Sequence, residues 1–223
     1  MIFDPLQAVT GDDWLQTRQG RRLYLRQEKL ILDLVAPVAG ESVLDVGCGS
    51  GNTLRMFGRK KCLLTGMDPS AAALESARRN LGALCELVLG NAADIPFSDN
   101  EFDVVTLTGG LQGSANPQKV LAEAVRVSRN RVFVGFLNRY SSAGTGQAVR
   151  NFFGFPAASN LRFFSIGEMQ TLIHKTMSGA QIQWGSVMCL PGPAVALLSS
   201  LEDLFPMRSE ERRVGKECRS RWS

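Results

Sequence analysis

The chain has 223 residues, 44% of them hydrophobic and 21% charged, which suits one α/β domain with its own core and argues against a disordered or fibrous chain. Its formal charge of +4 is concentrated at one end: Arg208–Ser223 holds six Arg/Lys against three Glu and so supplies +3 of it. The remaining residues are close to neutral, and nothing in their charge points to nucleic acid or to an acidic membrane surface.

Taken in chain order, MIFDPLQAVTGDDW has no basic stretch followed by an apolar one, so it is not a signal peptide. Asp12–Ala36 carries Leu15, Leu23, Leu25, Leu30, Ile31, Leu34 and Val35 at partly helical spacing and is closed by Pro37. Ser42–Val46 is a short apolar run that stops in glycines, the mark of a first strand. Thr53–Phe57 starts a helix, Cys62–Met67 is a second strand, and Ser70–Leu81 an Ala-rich helix behind Pro69. Cys85–Leu89, Phe102–Leu107 and Arg131–Leu137 read as strands three, four and five, with the helix Pro117–Ser128 before the fifth.

These strands are short and apolar on both faces, as a parallel sheet covered by helices on each side requires. Their alternation with helices predicts right-handed crossovers and a Rossmann-like, doubly wound, mostly parallel α/β sheet. After Asn138 the pattern loosens into an excursion, Arg139–Asn160, rich in Ser, Gly, Ala and Phe. Ser165 and Glu168 have capping-box spacing before the helical run Met169–Met177. Ala180–Leu190 is strand-like and Pro193–Phe205 helical, while Leu190–Leu201 is too short and too broken by prolines and serines to span a bilayer. The expected setting is cytoplasmic, without stable membrane insertion, and the oligomeric state is left open.

The string Arg208–Ser223, RSEERRVGKECRSRWS, is what an in-frame reading of a common sequencing adapter encodes, and it is set aside as a non-native tail. Of the five cysteines, Cys218 falls in that tail. Cys48, Cys62, Cys85 and Cys189 lack CxxC spacing and read as thiols in a reducing compartment, not as disulfides or metal ligands; no metal is expected.

The chemistry is carried by Val43–Asn52, VLDVGCGSGN, which places Gly47, Gly49 and Gly51 at alternate positions directly after the first strand. Glycine permits positive φ and lets a ligand approach the backbone. At the carboxyl end of a strand in an open parallel sheet, such a loop borders the ligand crevice, and the helix behind it offers N–H groups to an anion. Asp45 argues against a pyrophosphate, which its carboxylate repels, and favours a ligand bearing a cationic amino group. The dinucleotide fingerprint also wants G-x-G-x-x-G, whereas this loop is G-x-G-x-G.

VLDVGCGSG resembles the first motif of class I S-adenosylmethionine-dependent methyltransferases, and the likeness extends over roughly residues 10–205. The resemblance implies that Asp45, Val46, Gly47, Cys48, Gly49 and Gly51 hold the methionine portion of S-adenosylmethionine. Gly66–Ser70, GMDPS, matches the family's acidic position after the second strand, so that Asp68, beside Pro69, accepts from the ribose hydroxyls. Asn91–Phe97, NAADIPF, resembles the adenine loop: Asp94 accepts from the exocyclic amine, the Ala93 backbone assists and Ile95 packs on the ring. Thr108 and Gly109, in TLTGGLQ after the fourth strand, line the floor beside the methyl group.

The activated sulfonium needs chiefly an acceptor atom held in line, and a base only if that atom is protonated. No Asn/Asp-Pro-Pro-aromatic or Pro-Cys signature of nucleic-acid methylation is present, so a small-molecule acceptor is expected and no nucleic-acid partner. Trp14, Arg18, Gly20 and Tyr24 resemble the lid of small-molecule methyltransferases, within residues 1–40 of a single domain over 1–207. Asn138 and Arg139 follow the fifth strand toward the same cavity, and Phe152, Phe153, Phe155, Phe163 and Phe164 either build an acceptor pocket or simply pack the sheet. No catalytic base stands out, and His174 reads as a surface residue. The family's sheet has seven strands, order 3-2-1-4-5-7-6; with Ala180–Leu190 as the sixth, the seventh would begin where the adapter-like tail starts, so the last strand is expected to be missing. A nicotinamide-dinucleotide oxidoreductase and a non-catalytic cofactor-binding protein stay open as alternatives.

Overall fold

The computed structural model describes residues 17–141 and 162–187. Trp14, Phe152, Phe153, Phe155, Cys189, the expected helix Pro193–Phe205 and the tail lie outside them.

Helix α1 (Arg18–Val35) begins where the Thr17 hydroxyl accepts from the Gly20 N–H. Thr17 itself is extended and caps this helix, and 12–16, the first part of the apolar spacing, lie outside the described residues. It ends at Ala36, which takes up a left-handed conformation ahead of Pro37. There follow β1 (Ser42–Val46), α2 (Asn52–Gly58), β2 (Leu63–Asp68), α3 (Ala71–Leu81), β3 (Cys85–Leu89) and β4 (Phe102–Leu107). The chain then forms α4 (Pro117–Val127), β5 (Ser128–Val134) and α5 (Ile166–Thr176). Ser70 caps α3, Asn116 caps α4 with Pro117 in its first turn, and Ser165 and Glu168 complete the expected capping box on α5.

The five strands are parallel throughout, in the order β3-β2-β1-β4-β5. Strand alternation divides the core between the two faces. Leu44 and Val46 join Val105 and Leu107 under α4 and α5 residues including Val120, Leu121, Ala124 and Met169. Val43 and Val104 join Ile31 and Val35 of α1, Leu54 and Phe57 of α2, and Leu74, Ala77 and Leu81 of α3. Both faces of β1 are therefore covered, and any ligand must enter from a strand end.

Two expectations are corrected. The fifth strand runs from Ser128 to Val134, three residues ahead of the apolar run that marked it, because a β-bulge between Phe102 and Val104 lets Ser128 pair with Phe102 directly out of α4. The expected sixth strand does not form over its described part, 180–187. An alternating pattern gives only propensity, and a strand needs a ladder partner. This segment instead runs against α1, so close that a Cβ on Gly185 would stand 2.6 Å from Leu30 Cδ1.

Candidate functional site

Asp45, Asp68 and the Gly-rich loop meet at the carboxyl end of the central strands. Asp45 is the fourth residue of β1, paired in register with Gly66 on one side and Thr106 on the other, and is fully buried. Its Oδ1 accepts from Thr106 Oγ1 at 2.6 Å and from Thr108 Oγ1 at 3.3 Å. Its Oδ2 is buried and finds no partner among the described residues. Burial, only partly countered by the two threonine hydroxyls, pushes the Asp45 carboxyl up to about 6, with the like charge of Asp68 adding to the rise. A buried carboxylate oxygen without a donor is costly unless a ligand supplies one.

Asp68 closes β2 and shapes the loop. Its Oδ2 accepts from the Gly49 N–H at 2.9 Å and its Oδ1 from the Ser70 N–H at 2.8 Å. Each oxygen keeps a second lone pair, so the pair of ribose hydroxyls implied by the resemblance has acceptors to meet. The N–H groups of Gly47 and Cys48 are both spent on the Met67 carbonyl, at 2.7 and 3.1 Å. The loop is thus fastened by its own N–H groups, and what it presents at Gly49 is space: a Cβ there would meet nothing within 4 Å.

Gly47 is required for a different reason. Its φ is +76°, and a Cβ would lie 2.7 Å from the Gly110 backbone nitrogen. A Cβ on Gly109 would in turn stand 3.2 Å from the Gly47 carbonyl oxygen, so the loops after β1 and β4 pass backbone close to backbone. Thr108 joins them again through Thr53 Oγ1 at 3.2 Å. Val46 and Cys48 contribute buried side chains, Gly51 packs on Leu81, and Pro69 is exposed.

The loop after β3 stands beside this cleft, tied to β2 by the Gly90 N–H on the Asp68 carbonyl. Asp94 is exposed, and the Ala93 N–H is held by Asn91 Oδ1 at 2.9 Å. Ile95 is buried in the core, its N–H held by Glu123 Oε2 at 2.9 Å.

The candidates for the acceptor side divide. Tyr24 reaches the site, its hydroxyl donating to the Asn52 carbonyl at 3.1 Å, and so ties α1 to the end of the Gly-rich loop; Arg18 is exposed at the start of α1. Asn138 and Arg139 are occupied elsewhere. The Asn138 side chain accepts from the Tyr140 N–H, and Arg139 pairs with Glu168 at 2.9 Å, holding the start of α5. Phe164 is buried, edge-on to Phe136, which makes it a packing residue, and His174 is exposed on α5. Two residues escaped the sequence reading. Gln112, two residues past the glycine pair, is 4% exposed, and its Oε1 is buried without a partner among the described residues. Arg126 spans from α4 to the loop after β3. The only sequence signal for it is the Glu123–Arg126 spacing along a helix.

Residues 44–134 match the family model described as a methyltransferase domain. This stretch is similar to a methyltransferase domain. It runs from the middle of β1 to the end of β5 and so contains Asp45, Asp68, Asp94 and both glycine loops. The chain is 34% identical over 133 residues to a demethylmenaquinone methyltransferase of Renibacterium salmoninarum, covering 57% of this chain and 53% of that protein. It is 33% identical over 109 residues to a ubiquinone/menaquinone biosynthesis C-methyltransferase of Roseobacter denitrificans, covering 46% and 44%. The chain spans about half the length of these curated relatives. Among solved structures, an S-adenosylmethionine-dependent methyltransferase of Thermotoga maritima, described as a possible histamine N-methyltransferase, shares the fold with a TM-score of 0.61 at 23% identity, over 74% of each chain. No helix among the described residues is long and apolar enough to cross a membrane.

Proposed function

We propose that the chain binds S-adenosylmethionine at the carboxyl end of β1, β2 and β3 and transfers its methyl group to a small-molecule acceptor. The observation that carries this reading is the buried, half-unpaired carboxylate of Asp45 beside the open Gly49. It calls for a cationic donor and repels a pyrophosphate, so the amino group of an amino-acid moiety suits it and a nicotinamide dinucleotide does not. Asp68 takes the ribose hydroxyls, and the loop carrying Ala93 and Asp94 takes the base.

When bound, the cofactor supplies an activated sulfonium whose methyl carbon can be displaced without a strong base. The chain's own residues bind and orient. Thr106 and Thr108 hold Asp45 Oδ1, leaving Oδ2 to face the ligand, and the glycine contact between the two loops sets the depth of the cleft. Holding donor and acceptor in line accounts for much of the rate such an enzyme needs.

The acceptor class we favour is a quinone-type ring, in its reduced, electron-rich form. The named activities of the two curated relatives support it, as does the near-neutral charge outside 208–223, which gives no footing for nucleic acid. A cytoplasmic setting goes with this reading. The test is incubation with methyl-labelled S-adenosylmethionine and a reduced naphthoquinone, with a metabolite extract in parallel. Label in the naphthoquinol supports the reading, and label in the extract alone replaces only the acceptor class. Label in neither, from a chain that binds the cofactor, points to the non-catalytic alternative.

A further inference from the structure

The loop that faces the base has no strand or helix of its own, yet it is held at one side by a single side chain. Arg126 of α4 engages all five of its N–H donors. Nη2 donates to the Ile95 carbonyl and to Glu123 Oε2, both at 2.8 Å. Nη1 donates to the Phe97 carbonyl and to Asp99 Oδ1, also at 2.8 Å, and Nε donates to Glu123 Oε1 at 2.9 Å. Glu123 returns a bond to the same loop, accepting the Ile95 N–H at 2.9 Å. Ile95 is therefore gripped on both sides of its peptide by one ion pair, and its side chain is anchored in the core. The Asn100 N–H on the Arg126 carbonyl closes the far end of the loop.

We infer that the Glu123–Arg126 pair is a positioning device for nucleobase recognition, fixing the Asp94 backbone so that its carboxylate can select the exocyclic amine of the base. This rests on the cofactor reading above. The pair acts through the loop and touches no ligand itself. Two neutral carbonyls and two carboxylates on one guanidinium form an array that an ammonium group, with three donors on a flexible stem, cannot reproduce. Elsewhere the loop is tied to the fold at its start, by the Gly90 N–H on the Asp68 carbonyl, and by Phe97 against Phe102, while Ala93 and Asp94 themselves make only local hydrogen bonds to Asn91.

A merely structural ion pair would affect stability and leave base selection untouched. The two roles separate in the affinities, measured by calorimetry, of S-adenosylhomocysteine and of S-inosylhomocysteine, in which the exocyclic amine is replaced by oxygen. The intact chain should prefer the adenosine compound by about tenfold or more, the size of a hydrogen bond to a charged acceptor. R126M should collapse that preference to about twofold or less, mainly by weakening the adenosine compound, and R126K should fall between. In steady state, R126M should raise KM for S-adenosylmethionine with kcat changed by less than about threefold. If R126M does not fold, E123A serves, because it removes the acceptor of the Ile95 N–H and leaves the two carbonyl contacts of Arg126 in place. Its preference should be reduced but not abolished. A preference unchanged in the folded variants would overturn the inference, and so would an intact chain that binds both compounds equally. Failure of the intact chain to bind either compound is a different result: it removes the cofactor reading on which the inference stands.

Discussion

The two ends of the same five strands are built on opposite terms. At the amino end, polar groups are answered. Asp103 accepts from the Ser42 N–H and hydroxyl and from Arg129, and Glu41 chelates Arg131 with both oxygens at 2.6–2.7 Å. Among the described residues only Arg131 Nε is buried without a partner there, on a guanidinium whose charge Glu41 already balances. At the carboxyl end, Asp45 is buried deeper than any of these groups and keeps one oxygen without a donor among the described residues. The first arrangement holds strands together, whereas the second costs stability and makes sense only with a ligand. Substitutions at the two ends should therefore read out in different measurements.

The largest effect is expected from Asp45→Asn. Loss of a charge-assisted contact should weaken S-adenosylhomocysteine by about tenfold to a hundredfold, with little loss of thermal stability, because a buried carboxylate is removed. Calorimetry and a melt on the same sample check this. Weak binding together with a large drop in Tm would erase the contrast between the two ends. Gly47→Ala sits where both terms meet. Its Cβ would strike the Gly110 backbone from a left-handed conformation, so it should cost about 2 kcal/mol or more and also weaken binding, as urea unfolding and titration would show.

The pH dependence sharpens the comparison further. The Asp45 carboxyl is raised to about 6 in the fold, so the folded chain holds its proton more tightly than the unfolded one. Its contribution to stability is therefore full below the ordinary carboxylate range and is lost as pH rises to about 6. A cationic ligand reverses that preference, so affinity should fall about tenfold from pH 7 to pH 5, with about half a proton released on binding at pH 6. Asp103 is shifted the other way, held below the usual range first by the Ser42 N–H and also by Arg129. Its contribution is present above the ordinary carboxylate range and disappears only as pH falls through its lowered value. Asp103→Ala should accordingly cost about 1–2 kcal/mol in urea unfolding and leave S-adenosylhomocysteine affinity unchanged. The smallest effect belongs to Gln112→Met. Removing a buried orphan amide should keep cofactor affinity and raise stability by up to about 1 kcal/mol, while raising KM for the acceptor if that amide faces it.

How far these ends were legible in the sequence follows from the range of the interactions. Strands β1 to β4, the cap on α3, Pro117 and the capping box are local signals, and each appears where the residues indicate. The shift of β5 depends on an irregularity in its own pairing with β4, and the segment 180–187 on a partner that a period-two pattern cannot supply. The position of Asp45, Asp68 and the glycines at the carboxyl ends of β1 and β2 was legible because each lies at or just past the end of an apolar run that reads as a strand. Arg126 and Gln112 were not. Their meaning comes from carbonyls 29 and 31 residues away in the chain, or from a missing partner, and neither leaves a mark in composition or spacing.

The most direct measurement is calorimetric titration of the chain with S-adenosylhomocysteine, S-adenosylmethionine and oxidised nicotinamide dinucleotide, repeated on Asp45→Asn. The account predicts saturable binding of both sulfur compounds, none of the dinucleotide, and a loss of about tenfold or more in the variant. Binding of the dinucleotide alone, or sulfur-compound binding that ignores Asp45, would contradict it.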